Sequence, residues 1–354
     1  MAKKILMKGN EAIGEAAITA GCKYFFGYPI TPQSELPAYL SKKLPKIEGG
    51  VFLQAESEVA AINMVYGAAS TGVRVMTSSS SPGISLKQEG ISYLCGAELP
   101  CLIVNVQRGG PGLGSIQASQ ADYFQATKGG GHGDYRMIVL APSTVQEIVD
   151  LTRLSFDLAD EYRNPACILT DGMLGQLMEP VEFTEYTPKK FDKSWATTGC
   201  KGRKPNFITS IHLEPFELEA HNIKLQAKYQ KAKEKEQRAE EFMTDDAEIL
   251  LVAYGTLARI VKSAVKAARA KGIKAGMLRP ITLWPYPDKY FENLKNWKKV
   301  LTFELSAGQM VEDVRLAING RLPVSFYGRM GGMVPTVEEL FEQIERLAKD
   351  RIGV

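Results

Sequence analysis

The sequence predicts an α/β protein with two separate sheet domains. Short β-rich runs alternate with helix-patterned stretches up to about residue 185, the pattern of a parallel sheet crossed over by helices. The composition then turns polar from Glu182 to Asn206, with Pro and Lys interleaved, and leads into a strongly charged run. A second alternation begins at Glu248. The expected domains are therefore 1–185 and 246–354, joined by a linker over 186–245, and 354 residues suit two cores at roughly 150 residues each.

In the first domain, strands are expected at Lys23–Phe26, Val51–Gln54, Val73–Thr77, Leu102–Val106, Met137–Leu140 and Cys167–Thr170. Between them, Val59–Ala69 places Val59, Ile62, Val65 and Ala69 on one helical face, and Val145–Ala159 is apolar at the same spacing. His212 to Met243 reads as one long charged helix, and the alternating signs over Lys224–Glu241 make it a solvated face with no function of its own. The second domain is expected to hold strands near Ile249–Ala253, Lys274–Leu278, Val300–Phe303 and Val324–Phe326, with helices near Leu257–Ala270, Met310–Asn319 and Val337–Lys349. No short solenoid period and no low-complexity tract is present.

Composition excludes several function classes. A net charge of +3 is too small to argue for nucleic acid. Lys3, Lys4 and Lys8 interrupt the N-terminal apolar residues, and no stretch approaches the roughly 18 apolar residues of a membrane span, so a cytoplasmic protein with no membrane partner is expected. The five cysteines form no C-x-x-C pair, which suits free thiols in a reducing compartment and leaves this chain no iron–sulfur cluster of its own. His132, His212 and His221 lack the H-E-x-x-H arrangement, so no metal is expected on this chain alone. The glycines of Gly109–Gly114 lack the dinucleotide-binding spacing and no Walker A sequence occurs, which disfavours nicotinamide and ATP chemistry.

In open α/β sheets the ligand crevice lies outside the carboxyl ends of the strands, which directs attention to three loops. Gly27-Tyr28-Pro29-Ile30-Thr31-Pro32 presents the Thr31 hydroxyl from a stiff double-proline loop, or is simply a rigid turn. Ser78-Ser79-Ser80-Ser81-Pro82-Gly83 gathers hydroxyls and backbone donors at a helix N-terminus, suited to an anion or a polar ring edge, although capping explains it equally well. Gln107-Arg108-Gly109-Gly110 sets one guanidinium among glycines, where it could grip a carboxylate or merely be ion-paired. Glu56 and Glu58 flank Ser57 at a helix start, where acidic residues commonly complement the helix dipole. The small and apolar residues after Glu58 suggest instead an apolar surround that favours its protonation, as a proton shuttle requires. Gly129–Asp134 reads as a mobile loop near the site. Asp171-Gly172 has the start of a magnesium–diphosphate motif but no matching Asn follows.

Taken in order, Gly27–Pro32, Ser57-Glu58, Asn105–Arg108, Gly133–Pro142, Leu278-Arg279-Pro280, Gly308-Gln309 and Gly328–Gly332 resemble the alpha-type chain of 2-oxoacid:ferredoxin oxidoreductases over nearly the whole length. The resemblance implies a thiamine-diphosphate-binding pyrimidine-type parallel-sheet domain followed by a smaller transketolase-C-like domain. It implies that Glu58 hydrogen-bonds a ring nitrogen of the aminopyrimidine, that Thr31 and Arg108 hold the substrate carboxylate, and that Tyr28, Pro29, Ile30, Ser80 and Ser81 line the cofactor. A beta-type partner would bring the diphosphate and magnesium motif, gamma and ferredoxin-like delta partners the iron–sulfur clusters, coenzyme A would accept the acyl group, and ferredoxin the electrons. Phe303-Glu304-Leu305-Ser306 resembles the branched-chain 2-oxoisovalerate subgroup more than the 2-oxoglutarate or pyruvate ones. Two other readings stay open on the residues: a non-catalytic scaffold subunit of such a complex, and a stand-alone transketolase-like enzyme.

Overall fold

The computed structural model describes residues 4–349. The first sheet is assembled from β2 (Tyr24–Gly27), β3 (Val51–Gln54), β4 (Val75–Ser79), β5 (Leu102–Gln107), β6 (Ile138–Leu140) and β7 (Ala166–Asp171), following an N-terminal strand β1 (Lys4–Lys8). Helices α1 (Gly9–Thr19), α2 (Glu35–Lys43), α3 (Glu58–Ser70), α4 (Ser81–Gly96), α5 (Tyr123–Thr127) and α6 (Val145–Tyr162) lie between them. After β7 come α7 (Gly172–Gln176), β8 (Met178–Glu182), α8 (Pro215–Lys235) and β9 (Ala239–Phe242). The remainder runs β10 (Ile249–Val252), α9 (Gly255–Ala270), β11 (Ala275–Pro280), β12 (Thr282–Trp284), β13 (Lys299–Glu304), α10 (Met310–Ile318), β14 (Val324–Gly328) and α11 (Val337–Lys349).

The large sheet has the order β12-β6-β7-β5-β4-β2-β3, and the smaller one β14-β13-β10-β11-β9. Every pairing in the large sheet is parallel except β12 against β6. Strands β4, β5 and β7 are buried at every residue, as central parallel strands covered on both faces must be. From β2 the chain moves outward to β3 and then returns to the other side of β2 as β4. That reversal makes a topological switch point between β2 and β4, where helices leave in opposite directions and a crevice opens at the strand ends.

Local chemistry sets the helix starts. The Ser57 hydroxyl accepts from the Ala60 amide at 3.1 Å to cap α3, and Thr144 accepts from Glu147 at 3.1 Å to cap α6. In α9 the stripe Leu257, Val261, Ala264, Val265 and Ala268 is buried at helical spacing against the smaller sheet.

The structure differs from the sequence reading at three elements. The helix expected over His212–Met243 ends at Lys235, and Ala239–Phe242 is an edge strand antiparallel to β11. Its Glu240 reaches Arg279 at 2.7 Å, so a charge that read as part of a solvated helix face is the counterion of a buried arginine. Thr282–Trp284 leaves the second sheet to join the first, against β6. Finally β1 and β8 form a separate antiparallel pair that no sequence period signals.

Arg279 also reaches Glu147 on α6 at 2.6 and 3.0 Å, which ties the two sheets together. A comparable clasp sits at the other end of α6. There the Arg74 guanidinium donates to Asp157 at 2.6 Å, Asp160 at 2.8 Å and the Ala20 carbonyl at 2.7 Å. Burial pulls this guanidinium down, but the two carboxylates outweigh it and raise its pKa. Arg74→Met leaves Asp157 buried without a cation and Asp160 with Lys193 alone, and is expected to cost about 3–5 kcal/mol. Urea unfolding checks it, and a loss under about 1 kcal/mol, typical of exposed pairs, would contradict the clasp.

Candidate active site

The switch point brings three strand-end loops and one helix start together. Gly27 at the end of β2 leads into Tyr28, Pro29, Ile30 and Thr31, of which Ile30 is half-buried and the others exposed. The loop is held from behind: Asn10 donates to the Pro32 carbonyl at 2.9 Å, and the Ser78 hydroxyl on β4 donates to Gln33 at 2.6 Å. Thr31 therefore sits on a stiff shelf with its side chain open to the crevice.

Arg108 follows β5. Its terminal nitrogens donate to the Thr31 carbonyl at 3.0 Å and the Leu113 carbonyl at 2.9 Å, while its Nε is buried without a partner. The guanidinium thus spends hydrogen bonds tying two loops together, where the sequence suggested a free fork for a carboxylate. Its buried Nε–H keeps no partner among the described residues.

Ser80 and Ser81 begin α4 and have different fates. The Ser81 hydroxyl donates to Asp122 at 2.6 Å and accepts from the Arg108 amide at 3.0 Å, so it is a brace between loops. Asp122 is pushed upward by burial, partly offset by Ser81 and by Asn105, which donates to it at 2.9 Å. The hydroxyls of Ser79 and Ser80 are buried with no partner among the described residues. Buried polar atoms without partners are uncommon in folded proteins and mark places where a ligand or water completes the shell.

Glu58 is the second link in the same chain of contacts. It opens α3, is only 6% exposed, and lies against the first turn of α4. A Cβ built on Gly83 would fall 2.7 Å from Glu58 Oε1 and 2.1 Å from Ser79 Oγ, so glycine there lets the carboxylate approach the α4 backbone. None of the described side chains donates a hydrogen bond to this carboxylate. Its surround is more polar than the sequence suggested. Beside Gly83 and Ser79 stands Lys87, fully buried one turn further along α4, whose charge bears on Glu58. Glu58 is linked to the loop after β5 through α4, whose Ser81 meets the Arg108 amide, and Arg108 in turn meets Thr31.

Sequence reasoning missed Lys87 and Asp122 as parts of this site, and placed Ser79 and Gly83 in the candidate loop without foreseeing the close approach of Glu58 to Gly83. The signal for that approach was the glycine pair Gly83 and Gly90 on one face of α4, since Gly90 in the same way makes room for Ile62 of α3. Gly129–Asp134 is pinned against α4, where Ser92 donates to the His132 carbonyl at 2.7 Å, and does not form a free loop. Asp171 caps α7 by accepting from Met173 at 2.9 Å and Leu174 at 3.1 Å. Glu304 in the second domain accepts from the amides of Gln309, Met310 and Val311 and from Ser306, so the Phe303–Ser306 segment is committed to starting α10.

A cleft of about 510 Å³ opens beside Thr31, lined by Pro32, Ile116, Met173, Leu177 and Val334 together with Gln117 and Gln176, and none of its lining side chains is charged. No helix among the described residues is long and apolar enough to cross a membrane.

Thiamine diphosphate fits these residues on its aminopyrimidine side. Such a ring needs a carboxylate at one nitrogen and polar atoms at its edge, and Glu58, Ser79 and Ser80 supply them without a competing protein partner.

Residues 15–247 match the family described as pyruvate flavodoxin/ferredoxin oxidoreductase, thiamine diphosphate-binding, and residues 247–340 match pyruvate:ferredoxin oxidoreductase core domain II. The ketoisovalerate oxidoreductase subunit VorB of Methanothermobacter thermautotrophicus is 52% identical over 98% of each chain. The 2-oxoglutarate synthase subunit KorA of Methanothermobacter marburgensis is 36% identical over 97% of this chain and 99% of its own. Among solved structures, the 2-oxoglutarate:ferredoxin oxidoreductase from Magnetococcus marinus, with 2-oxoglutarate, coenzyme A and succinyl-CoA bound, aligns with a TM-score of 0.88 at 29% identity. That alignment covers 98% of this chain and 65% of the other, longer one. A split-gene transketolase, in an inactive β4 tetramer, shares the fold with a TM-score of 0.61 at 16% identity.

Proposed function

Because the chain belongs to the 2-oxoacid:ferredoxin oxidoreductase family as its alpha-type, thiamine-diphosphate-binding subunit, we propose that it activates the cofactor's aminopyrimidine ring for coenzyme A-dependent oxidative decarboxylation of 2-oxoisovalerate. The observation that carries this reading is Glu58, a buried carboxylate with no hydrogen-bond donor among the described residues. A carboxylate so placed is short of a partner, and a protonated ring nitrogen supplies one.

When bound, the cofactor supplies the carbon nucleophile and the electron sink for the departing carbon dioxide. Glu58 holds the proton at the ring nitrogen and so sets the tautomer of the ring. The Ser80 hydroxyl meets the ring edge, and Tyr28, Pro29 and Ile30 wall its apolar side. The Thr31 hydroxyl and the Arg108 guanidinium hold the 2-oxoacid carboxylate. The cleft beside Thr31 receives the substrate side chain, and its uncharged lining of Ile116, Met173 and Val334 favours a branched alkyl group over a second carboxylate. A beta-type partner binds diphosphate and magnesium, and gamma and ferredoxin-like delta partners carry the iron–sulfur clusters that pass electrons to ferredoxin. Coenzyme A takes the acyl group. The domain division 1–185, 186–245 and 246–354 follows this reading, with the second domain bracing the loop after β5.

The test is a substrate panel on the assembled complex. We expect kcat/KM for 2-oxoisovalerate to exceed that for 2-oxoglutarate by about 10²-fold or more, the scale on which an apolar pocket rejects an uncompensated charge. The reverse order would replace the branched-chain assignment with 2-oxoglutarate. Calorimetry on the isolated chain with thiamine diphosphate and magnesium should show no tight binding. Turnover by the isolated chain would instead make it a stand-alone enzyme.

A further inference from the structure

We infer that Asp122 is a positioning residue for the 2-oxoacid carboxylate: it turns the Ser81 hydroxyl so that the hydroxyl oxygen holds the Arg108 amide, and so fixes where the Arg108 guanidinium stands. The inference rests on the role proposed for Arg108 above. The Ser81 hydroxyl has one proton and two acceptors in reach, Asp122 at 2.6 Å and the Arg108 carbonyl at 3.3 Å. The carboxylate is the nearer acceptor and the stronger one, so it takes the proton. The lone pairs of the hydroxyl are then left for the Arg108 N–H, which donates to it at 3.0 Å. Arg108 is the first residue after β5, and its side chain crosses from there to the Thr31 carbonyl at 3.0 Å and the Leu113 carbonyl at 2.9 Å. One oriented hydroxyl thus pins the root of the side chain proposed to meet the substrate.

Asp122 can direct that hydroxyl because it is itself held from several sides. The oxygen that accepts from Ser81 also accepts from Asn105 Nδ2 at 2.9 Å, and Asn105 Oδ1 accepts from the Ser81 amide at 3.1 Å. The Asp122 amide donates to Gln107 Oε1 at 3.1 Å, which ties the same residue to the end of β5. The second domain brackets it along the chain. Gln309 Nε2 donates to the Ala121 carbonyl at 2.7 Å, and Gln309 Oε1 accepts from the Phe124 amide at 2.7 Å. Just before them, Gln120 donates its amide to the Leu305 carbonyl at 2.9 Å and accepts from the Leu305 amide at 3.0 Å. Asp122 therefore relays the seat of the second domain to the substrate-facing arginine. Only neutral donors answer its carboxylate. Taking a carboxylate out of water on those terms is costly where a packing residue would serve, so the loop needs the acceptor oxygen itself.

In the assembled complex, Asp122→Ala frees the Ser81 hydroxyl to turn to the Arg108 carbonyl and leaves the Arg108 amide without its acceptor. The KM for 2-oxoisovalerate is expected to rise about tenfold, the scale of one lost hydrogen bond. The kcat and the KM for coenzyme A should each stay within about threefold, because Arg108 holds the 2-oxoacid alone. A KM does not depend on the fraction of active enzyme, so partial misfolding of a variant does not alter the reading. Asp122→Asn keeps an acceptor oxygen in place and should return the 2-oxoacid KM to within about threefold of wild type. Ser81→Ala should raise that KM as Asp122→Ala does, and the double variant should raise it no further, since both act through one hydroxyl. An unchanged 2-oxoacid KM in Asp122→Ala overturns the inference. So does a rise that Asp122→Asn shares in full, or single effects that multiply in the double variant. Arg108→Met, run alongside, separates the failures. If it leaves the 2-oxoacid KM unchanged, the role of Arg108 is wrong; if it raises that KM while Asp122→Ala does not, only the role of Asp122 is wrong.

Discussion

Glu58→Gln in the assembled complex is expected to lower 2-oxoacid-dependent reduction of the electron acceptor by about 10²–10⁴-fold, the usual share of a positioned acid–base group. The substitution keeps the size and shape of the side chain, so its contact with Gly83 and the α3 cap by Ser57 persist. What it removes is the ability to accept and hold a proton at the ring nitrogen. Subunit assembly should be preserved, since Glu58 is buried beneath the crevice rather than on the outer surface. Near-normal turnover would favour a scaffold role, in which the chain organises the complex while taking no part in the chemistry.

Gly83→Ala is the second large effect. The added methyl would stand 2.1 Å from Ser79 Oγ and 2.7 Å from Glu58 Oε1, distances that require one of them to move. The neighbours that must yield are the site itself, and displacing a catalytic group by about 1 Å commonly costs about 10²-fold in rate. Gly90→Ala is the matching control. Its methyl would meet Ile62 Cγ2 at 2.5 Å in the same helix–helix contact but further from the strand ends. Both variants should lose stability by about 1–3 kcal/mol through overpacking, and only Gly83→Ala should lose turnover as well. Equal activity losses in the two would mean that the α3–α4 contact, and not the placement of Glu58, limits the rate.

The sequence revealed most where local rules act alone. The loops after β2, β4 and β5 were legible because apolar runs of strand length mark their own ends, and the topology of an open sheet assigns function to those ends. Glu58 drew attention as an acidic residue at a helix start followed by small and apolar residues. Lys87 was not legible, because Ser-Leu-Lys-Gln-Glu reads as an exposed helix turn, and its burial depends on how close α3 approaches. That approach is set by Gly83 and Gly90. Likewise β9 reads as a continuation of the charged helix before it, since its pairing partner is Arg279 on a strand about forty residues further on. Strand β12 could be placed only by knowing that the first sheet has an open edge at β6. The bracing of Arg108 against two backbone carbonyls was also invisible, because a carbonyl acceptor leaves no trace in residue type.

The most direct measurement is the rate at which the C2 proton of thiamine diphosphate exchanges with solvent deuterium in the assembled complex. It isolates cofactor activation from substrate binding, electron transfer and acyl transfer. Replacing Glu58 by glutamine should slow that exchange by about 10²-fold or more. Exchange at the wild-type rate in Glu58→Gln would contradict the claim that this carboxylate controls the ring.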